Sequence, residues 1–295
     1  MTTRRANPTY LPDLTFPAPL TATAHLHEAV DGVGHVIFAV PSHGFRAVVR
    51  AVRPHLPPNA VLVSATKGIE NETLQRMSEV LTEETRRQHP VVVLSGPSFA
   101  SEVARRLPTA LVAASNDPGA TRSVQAEFCG PSFRLYGSDD VVGVETGAAL
   151  KNIIAIGAGV VESLELGHNA LSALITRGLA EISRLACAMG ARRETLAGLS
   201  GLGDLVLTCT GTLSRNRHVG VELGRGRSLD AVLSGMRMVA EGVRTTTAAL
   251  ALGQRHGVEL PIAAQMAEVL AGRKAARAAV GDLMLRPQRG ELDEV

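Results

Sequence analysis

Lys151 stands in Gly147-Ala148-Ala149-Leu150-Lys151-Asn152-Ile153-Ile154-Ala155-Ile156-Gly157, a stretch that is otherwise almost wholly apolar. A helix hydrophobic on every side is a buried one. Burial disfavours an ammonium and lowers its pKa. A lysine tuned in this way can donate or accept a proton near neutrality. The alternative is a lysine that lays its stem along apolar surface and keeps its head in water, and the polar neighbour Asn152 favours the chemical reading. A second candidate is Gly201-Leu202-Gly203-Asp204-Leu205-Val206-Leu207-Thr208. Asp204 lies there among glycines and apolar residues, with Thr208 one helical turn on. A carboxylate so placed can hold and tune a lysine, although an aspartate opening a helix as its N-cap is the commoner arrangement. The third candidate is Ser214-Arg215-Asn216-Arg217. Arginine offers a planar fork suited to phosphate, and Ser and Asn add donors. The alternative is a solvated helix face.

The elements that must position these groups fall into two patterns. Short apolar runs at Val36–Val40, Ala60–Thr66, Val91–Leu94, Thr109–Ala114 and Phe133–Tyr136 read as buried strands. They alternate with helical stretches at Phe45–Val52, Asn71–Thr85, Phe99–Arg106 and Ala120–Phe128, which predicts βαβ units and a parallel, Rossmann-like sheet. Residues 1–25, rich in Pro and Thr, read as loop. Such sheets bind ligands beyond the carboxyl ends of their strands. Pro41-Ser42, Thr66-Lys67-Gly68 and Ser95-Gly96-Pro97-Ser98 occupy those ends. Lys67 then points a cation into the crevice. Ser98 opens a helix whose free amides favour an anion, or simply caps it. After Asp139 the strands stop, and Ala- and Leu-rich helical periodicity continues to the end. The expected organisation is therefore residues 1–139 as a partial dinucleotide-binding domain and 140–295 as an all-helical substrate and catalytic domain.

Composition narrows the function classes. With 45% hydrophobic residues, 3% aromatics and no Trp, the core must be built from Ala, Val, Leu and Gly. A net charge of +2 with scattered arginines and few stacking rings argues against nucleic acid. Cys129, Cys187 and Cys209 form no CxxC pair and no metal-like spacing, which fits a reducing cytoplasm. His43, His168 and His218 have no ligand-like partner in sequence, so no metal is expected. The Met1–Arg5 segment is not followed by an apolar signal core, and the apolar run Ile153–Val161 is too short to cross a bilayer.

Taken together, several segments resemble the bacterial-type NAD(P)-dependent sn-glycerol-3-phosphate dehydrogenase family. They are Asn7-Pro8-Thr9-Tyr10-Leu11-Pro12, Ala39-Val40-Pro41-Ser42-His43, Ala65-Thr66-Lys67-Gly68, Leu94-Ser95-Gly96-Pro97-Ser98-Phe99-Ala100, Ala149-Leu150-Lys151-Asn152, Ile175-Thr176-Arg177-Gly178-Leu179, Gly201-Leu202-Gly203-Asp204-Leu205, Ser214-Arg215-Asn216 and Val239-Ala240-Glu241-Gly242-Val243, in family order. The resemblance implies that Lys151 is a general acid/base, protonating the carbonyl oxygen of dihydroxyacetone phosphate as hydride arrives from NADH or NADPH. It implies that Lys67 touches both substrate and cofactor, and that Gly96, Ser98, Asp204, Ser214, Arg215 and Asn216 bind substrate. Ala100, Arg215, Val239 and Glu241 are implied cofactor contacts. It further implies a cytoplasmic homodimer that supplies glycerol phosphate for phospholipid synthesis.

The family also begins with a strand, a G-x-G-x-x-G/A turn, a helix and a second strand, about 30 residues or more. Gly32-Val33-Gly34, Gly157-Ala158-Gly159, Gly201-Leu202-Gly203 and Gly224-Arg225-Gly226 all lack the third Gly or Ala at the required offset. Without that unit, Val36–Val40 is expected to be an exposed apolar sheet edge. Three readings stay open: an active enzyme whose product starts upstream, a weak or silent homologue, and a non-enzymatic dimer that binds sugar phosphates. Another dehydrogenase with a similar helical second domain is the competing enzyme class. The choice between NAD and NADP depends on a second strand that this sequence does not contain.

Overall fold

The computed structural model describes residues 5–236, 238–288 and 290–291; most of the Met1–Arg5 segment lies outside them. The chain forms two compact units. One comprises Met1–Thr66 and Met77–Val141, the other Lys67–Arg76 and Val142–Val295.

The first unit opens with β1 (Ala6–Asn7) and β2 (Leu11–Thr15), an antiparallel ribbon where the sequence suggested only loop, then α1 (Leu26–Val30). Its main sheet is built from β3 (His35–Phe38), α2 (Ser42–Val52), β4 (Val61–Ser64), α3 (Met77–Glu84), β5 (Val91–Ser95), α4 (Ala100–Ala104), β6 (Thr109–Ala114), α5 (Pro118–Phe128) and β7 (Phe133–Ser138). The strand order is β3-β4-β5-β6-β7. Strand periodicity explains the two faces. Leu62 of β4 joins Val36, Phe38, Phe45, Val49, Val80 and Leu81 under α2 and α3. Its neighbours Val61 and Val63 join Val92, Leu111, Ala120, Val124 and Leu135 under α5. Asp117 caps α5, accepting from the Gly119 and Ala120 amides ahead of Pro118 at the first turn.

Two expectations are revised here. The sheet is parallel across β3-β4-β5 and across β6-β7, but β5 and β6 meet antiparallel. The link between them carries only the five-residue α4, and β6 returns antiparallel beside β5. The helix expected from Asn71 begins only at Met77. Instead Ile69 and Arg76 bridge antiparallel, the Glu70 amide donates to the Gln75 carbonyl, and Leu74 turns through φ 61°. Asn71-Glu72-Thr73 are turn residues, and Ile69 and Leu74 pack into the helical core. Strand β3 is the edge of the sheet, with Ile37 45% exposed.

The second unit is helical: α6 (Val141–Ser163), α7 (Gly167–Ala188), α8 (Arg193–Leu196), a π-helical turn at Leu199–Gly203, α9 (Asp204–Thr210), α10 (Arg215–Gly224), α11 (Leu229–Ser234), α12 (Glu241–His256), α13 (Pro261–Leu270) and α14 (Ala276–Met284). Its centre is α6, buried from Gly143 to Val161. This helix extends the apolar run in both directions and, among the described residues, is long and apolar enough to span a bilayer. The apolar window is 94% buried inside the protein, which is where its hydrophobicity is satisfied. Gly159 of α6 and Gly220 of α10 let the two backbones touch: a Cβ on Gly220 would collide with the Ile156 carbonyl oxygen, and one on Gly159 with the Arg217 carbonyl. Buried Glu181 of α7 accepts from the Ile262 and Ala263 amides at 2.8 and 2.9 Å, closing the N-terminus of α13.

Burial pushes the Glu181 carboxyl up to about 7 despite the two amide donors. A carboxyl raised in the folded state contributes stability that is present below its unfolded pKa and is lost as pH rises through the folded one. The stability of the parent chain relative to Glu181→Gln is therefore expected to fall between about pH 4.5 and about pH 7. Thermal melts of both proteins across that window check the sign.

Candidate active site

Lys151 projects from the buried midpoint of α6, and its side chain is 6% exposed. Snorkelling to solvent is thereby excluded. Its Nζ donates to Asp204 Oδ1 at 2.5 Å and to Thr208 Oγ1 at 2.6 Å. Asp204 is the first residue of α9, but Gly203 takes the N-cap position and the carboxylate caps nothing. The π-helical turn over Leu199–Gly203 delivers Asp204 to the lysine, and a Cβ on Gly201 within it would collide with the Leu196 carbonyl. The second oxygen of Asp204 accepts from Lys67 Nζ at 2.7 Å. Thr208, one turn on, turns its hydroxyl to the Asp204 carbonyl at 2.6 Å as well. One carboxylate, 1% exposed, thus sits between two ammonium groups.

Charge in this dry setting is tuned in a specific direction. Burial drives the Lys151 ammonium down to about 7, assisted by the positive charge of Lys67 and opposed by Asp204. Counting two lysines and one aspartate, the cluster carries one net positive charge when both lysines are protonated. Lys67 is the wetter of the two, with 22% of its side chain exposed. The arrangement can bind an anionic or carbonyl oxygen through Lys67 and pass a proton at Lys151 Nζ.

The Ser214–Asn216 group is anchored beside it. Asn216 donates to Oδ1 of Asn152, the neighbour of Lys151, at 2.9 Å and accepts from the Gly242 amide at 2.9 Å. It therefore ties α6, α10 and the start of α12 together. Gly242 is required here, since a Cβ would come 2.6 Å from the Asn152 carbonyl oxygen. Ser214 caps α10 through the Arg217 amide. Arg215 is exposed and donates to the Val239 carbonyl at 2.7 Å, which joins two residues expected near cofactor or substrate. Glu241 opens α12. Arg217 pairs instead with Glu162.

Gly96, Ser98 and Ala100 lie in the sheet unit and are not among the groups gathered by the helical unit. Gly96 has φ 138°, and its missing Cβ would stand 2.9 Å from Leu111 Cδ2. Ser98 donates to the Gly96 carbonyl and opens no helix, because α4 starts at Ala100 behind Phe99. In the sheet unit, α2 begins at Ser42 behind Pro41, close after the carboxyl end of β3, and the Gly44 amide donates to the Pro41 carbonyl. Sequence reasoning missed Arg76 and Glu145, a nearly dry ion pair at 2.8 Å. The signal available was a glutamate inside the same apolar helix as Lys151.

Comparison with known proteins agrees with this picture. Residues 140–281 match the profile of the NAD-dependent glycerol-3-phosphate dehydrogenase C-terminus, and residues 1–121 that of its N-terminus. The chain is 54% identical over 292 residues to glycerol-3-phosphate dehydrogenase, NAD(P)+, of Koribacter versatilis, covering 98% of this chain and 87% of that protein. It is 55% identical over 290 residues to the same-named protein of Syntrophotalea carbinolica, covering 97% and 87%. The crystal structure of glycerol-3-phosphate dehydrogenase from Coxiella burnetii superposes with a TM-score of 0.93 at 39% identity, covering 97% and 87%.

Because Gly220 holds α10 against α6, Gly220→Ala is expected to force the helices apart and cost about 1–3 kcal/mol, the range for overpacking a filled core. Urea unfolding of the variant beside the parent measures it.

Proposed function

The chain belongs to the NAD-dependent glycerol-3-phosphate dehydrogenase family, and on that premise we propose that Lys151 is its proton donor and acceptor. The protein is an NAD(P)-dependent oxidoreductase that interconverts dihydroxyacetone phosphate and sn-glycerol 3-phosphate. When bound, the reduced nicotinamide supplies the hydride. The carbonyl oxygen that receives charge takes its proton from Lys151 Nζ, and in the opposite direction neutral Lys151 removes it from the alcohol. The single observation that carries this reading is the bond from Lys151 to Asp204 inside a dry helical core. Asp204 and Thr208 aim the amine, and Lys67 adds a positive charge beside the developing oxyanion.

The remaining assignments belong to the same reading. Lys67, Gly96, Ser98, Asp204, Ser214, Arg215 and Asn216 hold substrate. Lys67, Ala100, Arg215, Val239 and Glu241 hold NAD or NADP. Residues 1–139 serve the cofactor and 140–295 the substrate and the chemistry, with Lys67–Arg76 acting with the latter. The Arg215–Val239 bond supports a shared place for substrate and cofactor contacts. A cytoplasmic homodimer acting on small molecules completes the proposal; the small net charge of +2 supports a small-molecule rather than a nucleic-acid partner, and the burial of α6 within its own unit accounts for its apolarity without a membrane.

Lys151→Ala is expected to lower kcat by at least about a hundredfold, the low end for a general acid, while NADH binding followed by fluorescence stays intact. Turnover close to that of the parent removes Lys151 from the chemistry. Since reduction needs the ammonium form, kcat/KM for dihydroxyacetone phosphate should fall as pH rises through about 7, and oxidation should rise over the same range. A pH profile measured in both directions tests the opposite slopes. Arg215→Ala is expected to raise KM for the phosphate substrate about tenfold or more, the scale of a lost charge-assisted hydrogen bond, as initial rates would report.

A further inference from the structure

The segment Lys67–Arg76 belongs to the helical unit, although the residues before and after it belong to the sheet unit. Contacts at its start, middle and end hold it. At its start, Lys67 reaches Asp204. In its middle, Ile69, 2% exposed, enters the helical core with Leu74 packed against that core. At its end, Arg76 Nη1 donates to Glu145 Oε2 of α6 at 2.8 Å, with the two side chains 13% and 4% exposed. The Ile69–Arg76 bridge and the bond from the Glu70 amide to the Gln75 carbonyl close the segment into a loop. Fixing Arg76 therefore fixes the far end of the loop that carries Lys67. A buried ion pair is a weak source of net stability, because desolvation offsets its attraction. What this pair secures is a position.

We propose that Arg76 and Glu145 are positioning residues for the reaction: their ion pair fastens the Lys67–Arg76 loop to α6, so that Lys67 shares the Asp204 carboxylate with Lys151. The inference rests on the reading of Lys151 as proton donor and adds two residues to the machinery behind it. Its consequence has a definite sign. The charged and titratable groups facing Lys151 are Lys67 from the loop and Asp204 and Cys209 from α9, with the Thr208 hydroxyl beside them. Releasing the loop removes a neighbouring ammonium and leaves Asp204 to Lys151 alone. Both changes raise the Lys151 pKa. The direct electrostatic effect of neutralising Glu145 is the opposite, since it deletes a negative charge and leaves Arg76 uncompensated.

The chain contains only three lysines, Lys67, Lys151 and Lys274. Their Nζ resonances can therefore be followed separately by heteronuclear NMR on labelled protein, with no dependence on turnover. Lys274, which bonds Gln265 and Asp282, serves as the internal control. In Glu145→Gln the Lys151 midpoint is expected to rise by about 1 pH unit, the scale of a displaced neighbouring charge, with Lys274 unmoved. The kcat should fall about tenfold, as when an outer group that orients a primary one is lost, with KM changed less. Arg76→Lys keeps the charge without the planar fork and should move both in the same direction by less, which covers failure of the first variant to fold. The charge-swapped Arg76→Glu/Glu145→Arg protein should recover part of both effects. An unchanged or lowered Lys151 midpoint in both single variants, with only a lower Tm, overturns the proposal. Near-normal turnover of Lys151→Ala overturns the underlying reading instead, so the two failures are distinguishable.

Discussion

A carboxylate sealed from water between two ammonium groups is a constraint on everything around it. Unpaired, Asp204 would cost several kcal/mol to bury, and each lysine would bear the same kind of penalty. With one oxygen given to each, the three groups satisfy one another, and removing the carboxylate would leave the Lys151 ammonium without its counter-charge in an apolar core. The π-helical turn before α9 and the folded-back Lys67–Arg76 loop bring these groups within hydrogen-bond reach. Chemistry then comes from the asymmetry of the trio. Lys151 is the drier lysine and gives up its proton near neutrality, whereas Lys67 keeps contact with solvent.

Much of this was legible before any coordinates, for identifiable reasons. Lys151 stood out because a charged residue in an all-round apolar helix contradicts its surroundings, and the helix is buried on every side. The alternation of short apolar runs with helical stretches marked the five strands of the main sheet in order. Asp204 is legible as a carboxylate able to hold Lys151, but its second partner, Lys67, 137 residues away, is not. Local periodicity carries no information about pairings at that range. The proposed substrate and cofactor residues are grouped by the resemblance of their motifs, not by any spacing.

What escaped the sequence has physical causes as well. The segment after Lys67 reads as helix by composition, yet Ile69 and Leu74 gain more by entering the helical core than by continuing a helix, so α3 starts late. The antiparallel junction of β5 and β6 is a pairing direction, which alternating apolar runs do not encode, and α4 is shorter than the helical stretch Phe99–Arg106 suggests. Arg76 and Glu145 are 69 residues apart, and nothing local in the sequence pairs them; their nearly dry ion pair exists only in the folded unit.

The excursion of Lys67–Arg76 also limits how this protein can be recombined. A chimera that joins the first part of one homologue to the second part of another near residue 140 looks like a clean exchange of modules. It would nevertheless take Lys67, Ile69 and Arg76 from one parent and Asp204, the helical core and Glu145 from the other. Such grafts inherit an interface inside the Lys67–Asp204–Lys151 cluster itself, so that stretch must travel with the helical half or be matched to it residue by residue.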